Sequence, residues 1–336
     1  MKATITDIAK DTGLSLATIS KYLNNKPVLP ENMKKIEESI ERLHYVPNQI
    51  AQGLRSKKTK TIALILPSLE NCLWGKIVNP IEISLKSLGF MSLVCTSKTD
   101  EKYETTLLNF LLHNQVCGVI AVEHSLDSET ISILAENDIP VVCIDYIPEY
   151  ISVDTVCSDN YQKGCHAAQY FIRHKHQVLS VIGGDTSSYI IQQRKKGFLD
   201  TLKNARLTPG PEYCIYGVDS LETAQKSLKK ILALPKPPTG IVFLNYLVSL
   251  GCLAEIVNSQ ITVPSHLSVI CFDHDTLFDA LLPNVTSVEE NYELLGKNAV
   301  ELLIKRITEE NKNPLQHRNV PAIFYDKDSV ADAGVL

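Results

Sequence analysis

Two periods of apolar spacing run along this chain, and the change from one to the other divides it. Over the first 45 or so residues the period is helical. Ile5, Ile8 and Ala9 share one face behind Thr4 and Thr6, either of which can cap the helix, with Asp7 in the first turn. Gly13 supplies the backbone freedom for a tight turn. A second helix opens at Ser15, whose hydroxyl can cap it. Leu16 to Leu23 then turns Ile19 and Leu23 inward and Leu16, Ala17, Thr18, Ser20 and Lys21 outward. A third helix, about Glu31 to Leu43, closes the set with Ile36, Ile40 and Leu43. Pro47 suits the first turn of a further short helix, which would align Asn48, Ala51 and Leu54 on one face. Gly53 costs that helix about 1 kcal/mol relative to alanine, and it is shorter than an isolated helix needs to be. It is therefore expected to stay largely unfolded until something holds it.

From Thr61 the pattern changes to short β-branched runs alternating with amphipathic helices. Strands are expected at Thr61 to Leu66, Met91 to Cys95, Gly118 to Val122, Pro140 to Ile144, Val178 to Ile182, Ile241 to Leu244 and Leu267 to Phe272. Continuous apolar runs belong to strands buried on both faces, and the alternation argues for parallel sheets covered by helices. The series pauses near Ile151 to Asp159 and restarts with a helix after Asn160, which predicts two similar lobes. Pro80 stands in an expected helix, which should kink or start late. Ligands of open α/β sheets bind beyond the carboxyl ends of the strands. The loops of interest are therefore Pro67 to Trp74, Asp145 to Pro148, Gly183 to Ser188, Asn245-Tyr246 and Asp273 to Asp275.

Charge sharpens this division. Of the chain's 33 Lys and Arg and 38 Asp and Glu, residues 1–60 hold 11 and 6, leaving 22 and 32 for the rest. A basic head on an acidic body points to a polyanion at the head. At 44% hydrophobic and 21% charged, the composition is that of an ordinary globular protein. No apolar run reaches about 18 residues and the N-terminus lacks the apolar core of a signal peptide, so a soluble, cytoplasmic protein with no membrane contact is expected. The nine cysteines form no C-x-x-C pair and several sit in apolar runs, as in Val141-Val142-Cys143-Ile144, where they read as buried, reduced thiols. His174-Lys175-His176 puts its histidines on different faces of a helix end and reads as surface. No G-x-x-x-x-G-K-[ST], G-x-S-x-G or H-E-x-x-H motif is present, so no catalytic residue, metal or cofactor is expected.

A helix-turn-helix of this form lays the N-terminal turn of its second helix in the major groove of DNA. Lys21 is the one long cationic donor on that face. Leu16 and Ala17 can make only apolar contacts, for instance with a thymine methyl, while Thr18 and Ser20 can bond phosphates. Leu54, with Arg55, Lys57, Lys58 and Lys60 behind it, suits a minor-groove wedge that kinks the duplex. By themselves these spacings also fit a plain three-helix bundle followed by a solvated linker.

Ile5-Thr6-Asp7-Ile8-Ala9, Gly13-Leu14-Ser15, Ala17-Thr18-Ile19-Ser20 and Tyr45-Val46-Pro47-Asn48-x-x-Ala51-x-x-Leu54 together closely resemble the lactose-repressor/galactose-repressor family of bacterial transcription regulators. The resemblance implies that Leu16, Ala17 and Lys21 read an operator half-site and that Leu54 of each subunit enters the minor groove at its centre. Thr6, Ser15, Thr18, Ser20, Asn24, Asn48 and Ala51 complete the implied DNA-contacting set. The Leu-Ala pair is closer to the galactose type than to the lactose type, which carries Tyr-Gln there. Lys21 replaces the usual arginine and loses the planar fork that grips guanine.

The resemblance extends to the body. Pro67 to Trp74 matches the segment after the first strand, where members commonly show Asn-Pro-Phe-Phe. Val181-Ile182-Gly183-Gly184 with Gln193-Arg194 and Gly197-Phe198 matches the opening unit of the second lobe, and Ser268 to Asp273 a strand ending in a pocket aspartate. Periplasmic sugar-binding proteins share these features. The implied fold is an N-terminal all-α helix-turn-helix head at 1–46, a hinge at 47–60, and an α/β two-lobed periplasmic-binding-protein-like body at 61–336 built on two doubly wound parallel sheets. Its first lobe would take about 61–158 and 290–317, its second about 159–289 and 318–332. The implied effector set is Asn71, Trp74, Asp145, Arg194, Asn245, Tyr246 and Asp273, with Trp74 offering a flat apolar face and Arg194, Asn245 and Asp273 bidentate polar groups. Tyr246 stands where an aspartate is usual, and so does His274 after Asp273. Fewer carboxylates direct the expectation toward an anionic or aromatic effector.

The chain is thus expected to be a homodimeric repressor of a near-palindromic double-stranded DNA operator, controlled by a sugar-like or other small metabolite between the lobes. A solute-binding protein without a regulatory DNA role is the alternative for the body alone, and an α/β enzyme with a regulatory head is a third reading. The chain ends near Leu336 without a heptad-patterned helix, so a dimer is expected over a tetramer.

Overall fold

A computed structural model describes residues 3–23, 26–45, 59–70, 73–97, 101–282, 284–309 and 314–334. The chain divides into two compact units, Met1–Thr59 and Lys60–Leu336.

The first unit packs α1 (Ile5–Thr12), α2 (Leu16–Leu23) and α3 (Pro30–Arg42). Thr4, rather than Thr6, opens α1: its backbone N–H and its hydroxyl both donate to Asp7 Oδ2, at 2.9 and 2.7 Å. Gly13 ends the helix in the left-handed region, at φ 66°. Ser15 Oγ accepts the Thr18 N–H at 3.2 Å and so caps α2. Each helix buries one isoleucine completely, Ile8, Ile19 and Ile36, with Leu23, Ile40 and Leu43 packed around them. The buried Ser39 hydroxyl donates to Asp11 at 2.5 Å and ties α3 to α1. Asn24 and the segment 47–54 lie outside the described residues.

The second unit holds two sheets. In chain order its strands are β1 (Thr61–Leu66), β2 (Met91–Thr96), β3 (Gly118–Val122), β4 (Val141–Ile144), β5 (Asp154–Ser158), β6 (Leu179–Ile182), β7 (Cys214–Ile215), β8 (Gly240–Phe243), β9 (Ser268–Phe272), β10 (Ser287–Glu289), β11 (His317–Val320) and β12 (Ile323–Tyr325). Its helices are α4 (Trp74–Ser87), α5 (Glu101–His113), α6 (Ser128–Glu136), α7 (Asn160–Arg173), α8 (Tyr189–Asn204), α9 (Leu221–Leu232), α10 (Tyr246–Asn258), α11 (Thr276–Leu281) and α12 (Tyr292–Thr308). One sheet has the order β2-β1-β3-β4-β5-β11, parallel throughout. The other has the order β7-β6-β8-β9-β10-β12, parallel except for β12. In both, the chain order reverses beside the first strand, which opens a crevice at the carboxyl ends there.

Asp154–Ser158 is a strand, where the sequence pattern suggested a pause. It is buried despite its polar residues because their partners come from far along the chain. Asp154 accepts Arg306 Nε at 2.6 Å, Arg306 Nη2 at 3.0 Å and the Gln316 N–H at 2.8 Å. The chain crosses between sheets after β5, after β10 and between β11 and β12. Arg318 pairs with Val156 and Val320 with Ser158 in the first sheet, so residues 318–320 belong to the first lobe rather than the second. Helix α4 runs from Trp74 through Pro80 to Ser87, so it does not start late. His176 is fully buried rather than at the surface: its ring lies 2.8 Å from Thr239 Oγ1 and 3.0 Å from the Ala331 carbonyl. Burial holds its pKa down at about 4. No disulfide joins the eight described cysteines; six are buried, with Cys95 and Cys214 half-buried. Among the described residues no helix is long and apolar enough to cross a membrane.

Candidate functional site

Three strands of the two lobes stop on a carboxylate. Glu123 follows β3, Asp145 follows β4 and Asp273 follows β9, with φ of 52°, 52° and 59°. A left-handed residue breaks the strand geometry and turns its side chain out of the sheet, at a cost that a folded core has to over-determine. All three line one cavity of about 230 Å³ between the lobes, together with Trp74, Arg194 and Tyr292. A wider vestibule of about 840 Å³ shares Glu123, Asp145, Asp185 and Ser188 with it and extends past Tyr146 and Tyr189.

The cavity floor is an ionic network centred on Arg194 of α8. Nε donates to Asn160 Oδ1 at 2.9 Å, Nη1 to the Leu244 carbonyl and Asp273 Oδ2 at 2.8 and 2.7 Å, and Nη2 to Asp273 Oδ1 and Glu290 Oε1, both at 2.8 Å. A guanidinium has five N–H groups, and here the protein engages all five. Glu290, directly after β10, also accepts from Lys163 of α7 and from the Ser158 hydroxyl. Lys163 is fully buried, an arrangement that only a close counter-charge makes tolerable. Because Ser158, Asn160, Lys163 and Glu290 flank two of the three lobe crossings, this network also fastens the two lobes of the body to each other.

Glycines bring the two helices close enough for it. A Cβ on Gly164 would stand 2.1 Å from the Arg194 carbonyl oxygen, and one on Gly197 would stand 1.9 Å from that of Tyr161. Only hydrogen fits at either position, and α7 and α8 therefore cross at backbone contact.

Burial, then the neighbouring Asp145 charge, pushes the Glu123 carboxyl up to about 8. Asp145 is likewise raised, by burial and then by the Glu290 charge, even though its Oδ1 accepts the Ser158 N–H at 2.6 Å. Burial would raise Glu290 too, but the Lys163 and Arg194 charges outweigh it and hold it below the usual carboxylate range.

The structure brings Trp74, Asp145, Arg194, Asn245, Tyr246 and Asp273 of the expected effector set around this one cavity. Asn71 lies outside the described residues. Several of these groups already have protein partners. Asn245 Oδ1 caps α10 by accepting the Val248 N–H at 3.0 Å. Tyr246 stacks on Phe278, with centroids 5.5 Å apart. Trp74 opens α4 at the cavity wall, and its indole N–H has no acceptor among the described residues. His274 points away into an ion-pair pattern, 3.2 Å from both Glu289 and Asp279, and the Glu289 contact raises its pKa. Its carbonyl accepts Lys76 Nζ of the opposite lobe at 2.5 Å. Glu123, Lys163, Glu290 and Tyr292 were not anticipated. Of the effectors the sequence allowed, sugar-like, anionic or aromatic, the anionic one does not match this floor: among the described residues the one cation lining it, Arg194, has no N–H left to offer, and carboxylates outnumber it.

In the head, Leu16 is 45% exposed, and Thr6, Ser15, Ala17 and Lys21 are exposed as well. Thr18 and Ser20 are half-buried on the same helix. Asn48, Ala51 and Leu54 lie outside the described residues, like Asn24. No cluster of metal-ligating side chains occurs among the described residues.

Residues 4–48 match the family model of the bacterial regulatory proteins of the lacI family, and residues 168–330 match that of the periplasmic binding protein-like domain. The HTH-type transcriptional repressor PurR of Vibrio cholerae is 26% identical over 332 residues, covering 98% of each chain. Catabolite control protein A of Priestia megaterium is 30% identical over 312 residues, covering 92% of this chain and 94% of that one. Among solved structures, the lac repressor dimer bound to operator and the anti-inducer ONPF shares the fold, with a TM-score of 0.86 at 21% identity over 98% of this chain and 100% of that one. A complex of the transcriptional regulator CelR with cellobiose does so with a TM-score of 0.72 at 24% identity, over 97% and 99%.

Proposed function

Since the chain belongs to the lacI family of bacterial regulatory proteins, we propose that it is a sequence-specific transcriptional repressor whose hold on DNA is set by a small molecule in the cleft between its lobes. The observation that carries the reading is the coexistence of two features in one chain: a head with Leu16, Ala17 and Lys21 exposed on its second helix, and a body whose strand-end side chains surround a cavity. Head and body model matches together argue against a solute carrier, which has no use for a DNA-reading helix. The relatives named above are transcriptional regulators, and the reading assigns no turnover to the cleft.

Ligand control follows from the floor of the cleft. The Arg194 and Glu290 network joins residues beside two lobe crossings, so a molecule that competes for Asp273 or Glu290 changes how the lobes are fastened. That constitutes allostery if ligand and operator shift each other's affinity by the same factor. The reading includes a homodimer on two half-sites, with Leu54 of each subunit in the minor groove between them. Ile83 of α4 and Met91 and Val94 of β2, an edge strand of its sheet, are 60%, 62% and 39% exposed and supply an apolar face for a second copy.

The test is selection of genomic DNA fragments by the full-length protein, followed by release with metabolite pools. Enrichment of one near-palindromic sequence, lost on adding a small molecule, is the expected result. Enrichment without sequence preference would overturn it.

A further inference from the structure

We propose that the molecule regulating this protein carries a protonated amine, seated between Glu123 and Asp145, beside hydroxyl groups that meet the polar wall. This rests on the ligand-responsive reading above and deepens it. Among the described residues five carboxylates line the cavity, those of Glu123, Asp145, Asp185, Asp273 and Glu290, against the single guanidinium of Arg194. Arg194 is committed to Asp273 and Glu290, and Lys163 to Glu290. Glu123 and Asp145 are thus left, among the described residues, facing the cavity without a cation of their own. Glu123 accepts no hydrogen bond among the described residues, and Asp145 has one oxygen occupied by the Ser158 N–H.

The charged groups around Glu123 come from every side of the floor: Asp145 at the end of β4, Arg194 on α8, Asp273 at the end of β9 and Glu290 after β10. Three of these four are acidic, so an anion entering here meets net repulsion. A neutral polyol can bond to these carboxyls but gains no ionic term. A cation alone favours the ionised form of both groups and places its charge against them, and the nearby rings of Trp74, Tyr246 and Tyr292 can cover its remaining surface. At about 230 Å³ the inner cavity falls below the roughly 300–1,000 Å³ of clefts for drug-sized ligands, so the amine-bearing part of the ligand is small, and any bulkier part extends into the vestibule that shares Glu123 and Asp145.

The test is calorimetry of the full-length protein with glucosamine, galactosamine and putrescine, each beside its hydroxyl counterpart glucose, galactose or 1,4-butanediol, with glucuronate as the anionic arm. Binding in the amine arm with proton release at pH 7 is expected. Putrescine, whose amines stay charged across this range, should bind at least about fifty-fold more tightly at pH 8 than at pH 6, because the fraction of ionised Glu123 rises from about 1% to about half. Glu123→Gln and Asp145→Asn, both checked for a cooperative melt no lower than the parent's, should each weaken amine binding at least tenfold. Equal or better binding of the neutral or anionic arm, or no amine binding at all, overturns the proposal. If the full-length protein instead ignores every metabolite in releasing its selected DNA, the ligand-responsive reading itself fails.

Discussion

Arg194 and Asp273 lie side by side on the cleft floor, Nη1 2.7 Å from Oδ2 and Nη2 2.8 Å from Oδ1, and both are buried. A strand-end aspartate in an α/β sheet suggests a ligand group whose loss would spare the fold. The bidentate pair gives Asp273 a second duty. Asp273→Ala leaves a buried guanidinium with two unmatched donors, which is expected to destabilise the body by about 3–5 kcal/mol in urea unfolding. Asp273→Asn, which keeps the shape and one acceptor, should cost less. An alanine variant within about 1 kcal/mol of the parent would show that Arg194 does not depend on this partner.

Gly197→Ala tests how the network is assembled. The added Cβ would meet the Tyr161 carbonyl oxygen at 1.9 Å, a backbone atom that cannot swing aside. Helices α7 and α8 would have to separate, carrying Asn160 and Lys163 away from Arg194 and Glu290. A loss of about 3 kcal/mol or more is expected. Gly75→Ala, with open space around the new methyl group, provides the matched control in the same denaturation experiment and should change stability little.

How much of this was legible in the sequence depended on where each group found its partner. Runs such as Thr61–Leu66 and Ser268–Phe272 are buried on both faces and announce themselves by apolar content. Asp154–Ser158 is just as buried but carries Asp154, Thr155 and Ser158, whose partners lie as much as 162 positions away, and periodicity cannot see them. The same reason hid Lys163 and Glu290. A lysine on a helix reads as solvated until a carboxylate 127 positions later is brought against it. Arg194 and Asp273 could be found because family motifs and strand ends marked them. Glu123 closes a strand in the same way as Asp145, and applying the strand-end rule to β3 would have found it.

Glu123 should leave a signature in the pH dependence of stability. Its carboxyl keeps a proton up to about pH 8 when folded, whereas an unfolded glutamate loses it near 4.5. Between those values the folded chain binds more protons than the unfolded one, so stability falls as pH rises, by up to about 1.4 kcal/mol per unit. Glu123→Gln removes this dependence. The variant should match the parent at pH 4 and exceed it increasingly up to pH 8, as read by urea midpoints. His176 works in the opposite sense: held near 4 against 6.5, it withdraws stability as pH falls, and that acid limb should persist in the variant. Parallel profiles for parent and variant from pH 5 to 8 would show that Glu123 is ionised in the free protein.

Lys21 stands exposed on α2 beside Leu16 and Ala17, on a helix held by Ile19 in a small core of three isoleucines. Removing its charge leaves that core untouched, so Lys21→Ala should melt like the parent. If Lys21 reads a base, as its place on the helix implies, the variant loses about 1–3 kcal/mol of affinity for the selected operator while binding random DNA almost unchanged. If it grips a phosphate, all sequences weaken together and the salt slope drops by about 1. The expected result is the first, with Lys21→Arg binding more tightly wherever the facing base is guanine, since the fork adds a second hydrogen bond. Fluorescence anisotropy on operator and scrambled duplexes across a salt series separates the two, and uniform weakening would remove Lys21 from the reading face.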